Sequence, residues 1–169
     1  WIAIELARRF PDLRGVVFDW PETAAVAQEN IEACGLAERL RAQGGDVAAD
    51  ALGEGGREDF DLVWCSSVLH FIPDIDAVLA KVMAAMASGG LFVCVHAELP
   101  AEADAAAQVM PFYLPMRMVG RHVLAKGGTA AAMAEAGFVE IEQFGSGRFP
   151  MPPVQVMVAR KPEAPGNSK

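Results

Sequence analysis

The chain has 169 residues, 53% of them hydrophobic and 21% charged, with a formal net charge of −8. That length suits one domain with an ordinary core, and the composition excludes a disordered protein. The acidic balance, without any Lys/Arg cluster, argues against nucleic acid as a partner, because phosphate binding needs a basic surface.

Apolar runs are broken by Gly, Asp or Arg well before a membrane-spanning length, so no transmembrane helix is expected. The three cysteines, Cys34, Cys65 and Cys94, are scattered in apolar contexts and read as buried reduced thiols of a cytoplasmic protein. Residues 1–10 place Ile2, Ala3, Leu6 and Phe10 near helical spacing, and Pro11 ends the run. The helical pattern is already under way at Trp1, without Met, cap or signal peptide, so the chain reads as part of a longer one. Residues 15–19 form a short strand ending in Asp19, and Pro21 opens a helix that carries Ala24, Ala27, Ile31 and Cys34 on one face up to Gly35. A brief strand over 40–43 runs into Gly44-Gly45-Asp46 and a polar, Gly-rich loop to Asp59.

Residues 61–74, DLVWCSSVLHFIPD, are the stretch around which the rest of the chain is organised. The apolar run Leu62–Cys65 stops at Ser66-Ser67 and reads as a buried parallel strand reaching the carboxyl edge of its sheet. Open α/β sheets bind ligands at that edge, and His70 lies just past it. Position alone leaves two roles open for His70, proton transfer near neutrality or packing at a strand end. Next comes a helix over 74–86, with Ile75, Val78, Leu79, Val82, Met83 and Met86 on one stripe, acids at its start and Gly89-Gly90 closing it. Residues 91–95 are another buried strand, ending at His96 and Glu98.

Residues 101–109 read as helical, whereas 110–118, MPFYLPMRM, are proline-broken and suit a pocket wall or lid better than a regular element. An Ala-rich helix over 129–136 stops at Gly137. Residues 138–144 and 154–160 alternate as two strands, an antiparallel pair at a sheet edge, before a disordered tail over 163–169. The order specifies an α/β sheet, mostly parallel, with helices on both faces and an antiparallel terminal strand. The strand and cofactor-gripping turn that should precede the first helix are missing from the chain.

Asp19 and Asp46 end successive strands with apolar neighbours, Trp20 and Val47. A carboxylate in the first position accepts two hydrogen bonds from a ribose diol, and one in the second accepts from an exocyclic amine; the alternative is a pair of solvated loop acids. His70, His96 and His122 have no metal-ligand spacing. Neither a nucleophile elbow nor a P-loop is present, the Gly-rich stretch 53–56 lacking Lys-Ser/Thr.

VVFDWPETAAVAQENI, then GGDV, then DLVWCSSVLHFIPDIDAVLAKVMAAMASGGLFVCV, then AGFVEIEQF resembles the small-molecule O-methyltransferases that use S-adenosylmethionine. The resemblance runs to about Pro162 and implies a Rossmann-like class I methyltransferase domain over 1–162, N-terminally incomplete, with a helical dimerisation domain upstream. It implies that Asp19, with Trp20 beside it, binds the cofactor ribose, that Asp46 and Val47 hold the adenine, and that Ser66 contacts the cofactor. His70 falls on the general base. Met110, Phe112 and Met116 would hold a hydroxylated aromatic, polyketide or pigment-like acceptor, and the products would be the methyl ether and S-adenosylhomocysteine. Phe71-Ile72 replaces an Asp-Trp common after the histidine, and His96 replaces an acid common at the end of the fifth strand. A second reading is therefore a methyltransferase-like domain that transfers no methyl and serves as a structural or interaction subunit. A nicotinamide-dependent oxidoreductase fits less well, since the terminal strand pair and the Leu-His past the fourth strand suit methyltransferases better.

Overall fold

A computed structural model describes residues 1–52, 60–121, 123–146 and 154–164. His122, the Gly-rich stretch 53–56 and tail residues 165–169 lie outside the described residues, as does the side chain of Phe112. The chain forms two compact units, Trp1–Gly56 and Arg57–Lys169.

The first unit runs α1 (Ile2–Arg9), β1 (Gly15–Asp19), α2 (Pro21–Ala33), β2 (Leu40–Gly44). β1 and β2 pair in parallel, Gly15 opposite Leu40 and Asp19 opposite Gly44. Its core is Ile4, Ala7, Ile31, Leu36 and Leu40, with Val17, Cys34 and Ala42 packed against it. The helical spacing in α1 selects a different face from the one expected: Ile4 and Ala7 are buried, while Ile2 and Phe10 are exposed. Arg39 anchors this helix end, donating from Nη2 to Ala7 O at 3.0 Å and from Nη1 to Leu13 O at 3.2 Å. A guanidinium there satisfies an orphan carbonyl and opposes the negative end of the helix dipole. On β2, Gln28 of α2 accepts from Ala42 N at 2.8 Å, supplying a partner to a strand N–H.

The second unit runs β3 (Phe60–Ser66), a 3₁₀ turn (Leu69–Phe71), α3 (Ile75–Ala85), β4 (Met86–Ala97), α4 (Ala103–Met118), α5 (Gly128–Glu135), β5 (Val139–Ser146) and β6 (Val154–Arg160). Its sheet has the order β3-β4-β6-β5. β3 and β4 are parallel, β6 is antiparallel to both β4 and β5, and the sheet is therefore mixed. The expected antiparallel pair at the sheet edge is present: β5 is the outermost strand on that side, with β6 between it and β4. Val93, Val95 and Val154 form a core cluster with Val156 and Val158, and Phe92 stacks on Phe138 at 4.9 Å.

α3 matches its apolar stripe, with Ile75, Val78, Leu79 and Val82 buried, and Asp74 caps it by accepting from Ala77 N at 2.9 Å. It ends at Ala85, because Met86 is already extended and opens β4. A Cβ at Gly90 would sit 2.9 Å from Ala87 O and 3.0 Å from Phe60 O, which is why β4 passes this point through glycine.

Three sequence expectations are corrected. β3 is not a buried strand: it is the terminal strand of its sheet, and Trp64 is 42% exposed. Cys94 is buried, but Cys34 and Cys65 are only half-buried, and all three thiols are free. Residues 110–118 are not irregular; they complete the 16-residue helix α4 despite Pro111 and Pro115. Both prolines are exposed and four residues apart, so they share the outer face of the helix. Carbonyls freed by a proline on that face can turn to water, which removes much of the usual penalty.

Candidate functional site

In the first unit, the two acids stand at adjacent strand ends. Asp19 closes β1; its Oδ1 accepts from Trp20 N at 2.8 Å and its backbone carbonyl accepts from Gly45 N at 2.9 Å. Asp46 comes just after β2, and its Oδ1 accepts from Ala48 N at 2.8 Å. Each carboxylate thus spends one oxygen on fixing its own loop, and the second accepts no hydrogen bond among the described residues. A carboxylate held this way presents an acceptor in a set direction, which is what a vicinal diol or an exocyclic amine requires. Trp20 is exposed and Val47 half-buried beside them.

Two glycines, not singled out as site residues, make this edge possible. A Cβ at Gly44 would stand 2.8 Å from Pro21 Cα, and one at Gly45 would stand 2.6 Å from Phe18 Cζ. The GGD sequence therefore carries a readable signal: at Gly44 the chain leaving β2 passes too close to the Pro21 backbone for any side chain.

In the second unit, β3 ends at Ser66, opposite Val95 of β4, and Ser67 N extends the ladder to Val95 O at 2.9 Å. Ser67 has φ of 56°, a left-handed conformation rare for a residue with a Cβ. Such strain costs about 1–2 kcal/mol and turns the chain sharply into the 3₁₀ turn that carries His70. His70 is half-buried, with its ring 4.1 Å from that of Phe71 and 5.2 Å from that of His96. Burial and the Arg121 guanidinium lower the His70 pKa from its ordinary value, so the ring is neutral and basic near pH 7. Arg121 is itself fixed, donating from Nη1 to Phe71 O at 2.6 Å, with its guanidinium over the Phe71 ring at 5.6 Å.

Beneath His70, β4 presents Cys94 and His96 at alternate positions, hence on one face of the strand, and Glu98 follows just past its end. Glu98 is buried and fully engaged: Oε1 accepts from Thr129 N at 2.8 Å, and Oε2 accepts from Gly127 N at 2.8 Å and Gln143 Nε2 at 2.9 Å. It caps α5 and ties that helix to β4 and β5. The Cys94 thiol is raised by its hydrogen bond with Cys65, by burial and by Glu98, and stays protonated. Sequence reading placed His96 and Glu98 at a strand end without giving either a role. The alternating polar residues in an otherwise apolar strand were the signal.

On α4, Met110 and Met116 are half-buried, while Val109 and Tyr113 are buried. Burial raises the Tyr113 phenol. Among the described residues no cluster of His, Cys, Asp or Glu could hold a metal ion, and no helix is long and apolar enough to cross a membrane.

Acids ending two successive parallel strands, and a histidine just past the next strand, are the layout of a class I methyltransferase within an α/β fold. The chain belongs to the methyltransferase-domain family, whose model matches residues 2–92. It is 33% identical over 118 residues to 3-hydroxy-5-methyl-1-naphthoate 3-O-methyltransferase of Streptomyces sahachiroi, a match covering 69% of this chain and 32% of that one. It is 30% identical over 146 residues to the N,N-dimethyltransferase OxyT of Streptomyces rimosus, covering 85% of this chain and 39% of that protein. The fold is similar to that of human N-acetylserotonin methyltransferase solved with S-adenosylmethionine, with a TM-score of 0.69 and 20% identity over 95% of this chain and 44% of that chain. The chain thus spans about a third of the length of the curated relatives it matches.

Proposed function

We propose that this chain is the cofactor- and acceptor-holding part of an enzyme that moves the methyl group of S-adenosylmethionine to a hydroxyl of an aromatic, polyketide or pigment-like molecule. The observation that carries this reading is His70: a neutral, half-buried imidazole on a turn directly after β3. The cofactor would supply a methyl already activated on a sulfonium, so the protein's tasks are alignment of the acceptor oxygen and removal of its proton. His70 is the base. Asp19 takes the ribose hydroxyls, Asp46 the adenine amine, and Val47 and Trp20 flank them, while Ser66 contacts the cofactor from the end of β3. Met110, Phe112 and Met116 hold the flat acceptor. The naphthoate acceptor named for the Streptomyces sahachiroi relative supports an aromatic hydroxyl, and the N,N-dimethyltransferase relative makes a nitrogen acceptor the first alternative to assay. A cytoplasmic homodimer, joined through a helical domain upstream, belongs to the same reading and rests on the family resemblance.

The replacement of an acid by His96 favours one competing reading, a methyltransferase fold that binds its ligands without transferring a methyl. The two separate cleanly. The intact protein is titrated calorimetrically with S-adenosylhomocysteine, then assayed with methyl-labelled S-adenosylmethionine and a panel of hydroxylated and aminated naphthoates. Binding together with transfer that is lost in His70→Ala supports the enzyme. Binding without transfer to any acceptor supports the scaffold, and the absence of binding removes the cofactor assignment altogether.

A further inference from the structure

Arg121 is a charged side chain beside the proposed base that methyl transfer leaves without a task. It stands just past α4, where a Schellman turn ends the helix: Gly120 N donates to Arg117 O at 3.0 Å and Arg121 N to Met116 O at 2.8 Å, with Gly120 at φ of 77°. The backbone of Arg121 is therefore bonded to Met116, on the helix assigned to the acceptor. Its side chain reaches another element, donating from Nη1 at 2.6 Å to the carbonyl of Phe71, the residue after His70. The guanidinium lies 5.6 Å from the centre of the Phe71 ring, which is itself 4.1 Å from that of His70. One residue thus joins the acceptor helix to the turn that bears the base.

The helix dipole does not account for this placement. A cation serving α4 would turn back to its last carbonyls, whereas this one donates to a carbonyl outside the helix. An ion pair does not account for it either: among the described residues no carboxylate pairs with Arg121, and only Nη1 has an acceptor. An unopposed cation here works against the base, because it disfavours a proton on His70. The ring stacked on His70 at 5.2 Å offers no compensating charge: His96 is 1% exposed, with neither ring nitrogen hydrogen-bonded among the described residues. That penalty is relieved when a bound molecule sets an anion against the guanidinium.

We propose that Arg121 selects the acceptor, taking a carboxylate carried on the same aromatic framework as the hydroxyl that His70 deprotonates. The proposal rests on the reading of His70 as the base. A guanidinium offers a planar fork of N–H donors that matches a carboxylate, and the bond from Nη1 to Phe71 O fixes the direction of that fork. The carboxylate gains charge-assisted hydrogen bonds, and it neutralises the cation that opposes proton uptake by His70. The acceptor class is therefore hydroxylated aromatic acids, in preference to neutral phenols.

A hydroxynaphthoate and the naphthol that lacks only its carboxylate are the two probes, used with S-adenosylmethionine on the intact protein. Wild type should favour the hydroxynaphthoate in kcat/KM by about tenfold or more. Arg121→Gln keeps a donor for Phe71 O but no charge, and should remove most of that preference. Arg121→Lys keeps the charge without the fork and should retain part of it. With the naphthol as acceptor, the acid limb of kcat/KM should move to higher pH in Arg121→Gln, because the cation that disfavours charge on His70 is gone. Calorimetry gives a readout without turnover. Hydroxynaphthoate should bind the S-adenosylhomocysteine complex about tenfold or more weakly in Arg121→Gln, with S-adenosylhomocysteine itself bound as before. Equal losses for the two probes would reduce Arg121 to a structural role and overturn the proposal, as would a wild type indifferent to the carboxylate. Weakened S-adenosylhomocysteine with an unmoved preference would give the guanidinium to the cofactor's own carboxylate and overturn it too. Carboxylate-selective binding that depends on Arg121, without methyl transfer, would keep this assignment and discard the transferase reading. Transfer lost in His70→Ala but indifferent to Arg121 would do the reverse.

Discussion

Burying His96 has a thermodynamic consequence that can be read without any substrate. Burial, and repulsion from His70, lower its pKa from 6.5 to about 4, with Glu98 opposing the shift. In the unfolded chain the same ring titrates at its ordinary value. Between about pH 4 and pH 6.5 the unfolded state therefore binds more protons than the folded one, and stability rises with pH across that window. Above pH 6.5 the contribution is constant; as the pH falls it is lost progressively until the folded-state pKa is passed. At 1.36 kcal/mol per pH unit, the whole effect is about 3 kcal/mol, a sizeable part of the stability of a small domain. The perturbation is His96→Phe, which removes both the titrating group and its two orphan nitrogens. Urea unfolding should be followed through Trp64 on β3, with Trp1 and Trp20 replaced by Phe so that the second unit alone is seen. Wild type should lose about 3 kcal/mol more than the variant between neutral and acid pH, while the variant is equally or more stable at neutrality. Parallel pH dependences in the two proteins would refute a buried neutral His96.

Asp19→Ala should weaken S-adenosylhomocysteine about tenfold or more in calorimetry, since hydrogen bonds to a charged group are worth about 1.5–3 kcal/mol; an unchanged Kd would remove Asp19 from the site. His70→Ala should lower kcat by about 10²–10⁴ with cofactor affinity retained. The lowered His70 pKa sets the pH profile of the wild-type reaction: kcat/KM should rise through an acid limb below the ordinary histidine value and stay flat at neutrality, and a limb above that value would contradict the burial and the influence of Arg121. Glu98→Ala, which leaves Gly127 N and Thr129 N without their acceptor, should cost about 2–4 kcal/mol in urea unfolding, and a neutral result would show that the α5 cap contributes nothing. Gly44→Ala drives a Cβ to 2.8 Å from the Pro21 backbone and should destabilise the first unit by about 1–3 kcal/mol, read from hydrogen exchange of β1 and β2 amides.

Most of the architecture was legible in local patterns. Asp74 and the stripe from Ile75 to Val82 define α3 because capping and a 3.6-residue period act within one helix. The apolar runs at 15–19 and 91–95 mark strands for a similarly local reason, and each strand end locates a candidate group, Asp19 or His96. The acid pair and His70 could be named from sequence because their places depend on where a strand stops.

What sequence could not supply was everything that depends on a neighbour distant along the chain. Pro111 and Pro115 read locally as breaks, yet α4 continues because both fall on its exposed face. The core face of α1 is chosen by Ile31, Leu36 and Leu40, so Ile4 and Ala7 are buried in place of Ile2 and Phe10. Glu98 reads as a surface acid until α5 and β5 bring three donors to it. The stacking of His70 on His96 joins residues 26 positions apart through the parallel register of β3 and β4. Sequence by itself determined which side chains stand at the strand ends. Tertiary structure decided which of them meet, because burial and mutual charge are properties of a pair of elements and of no single stretch.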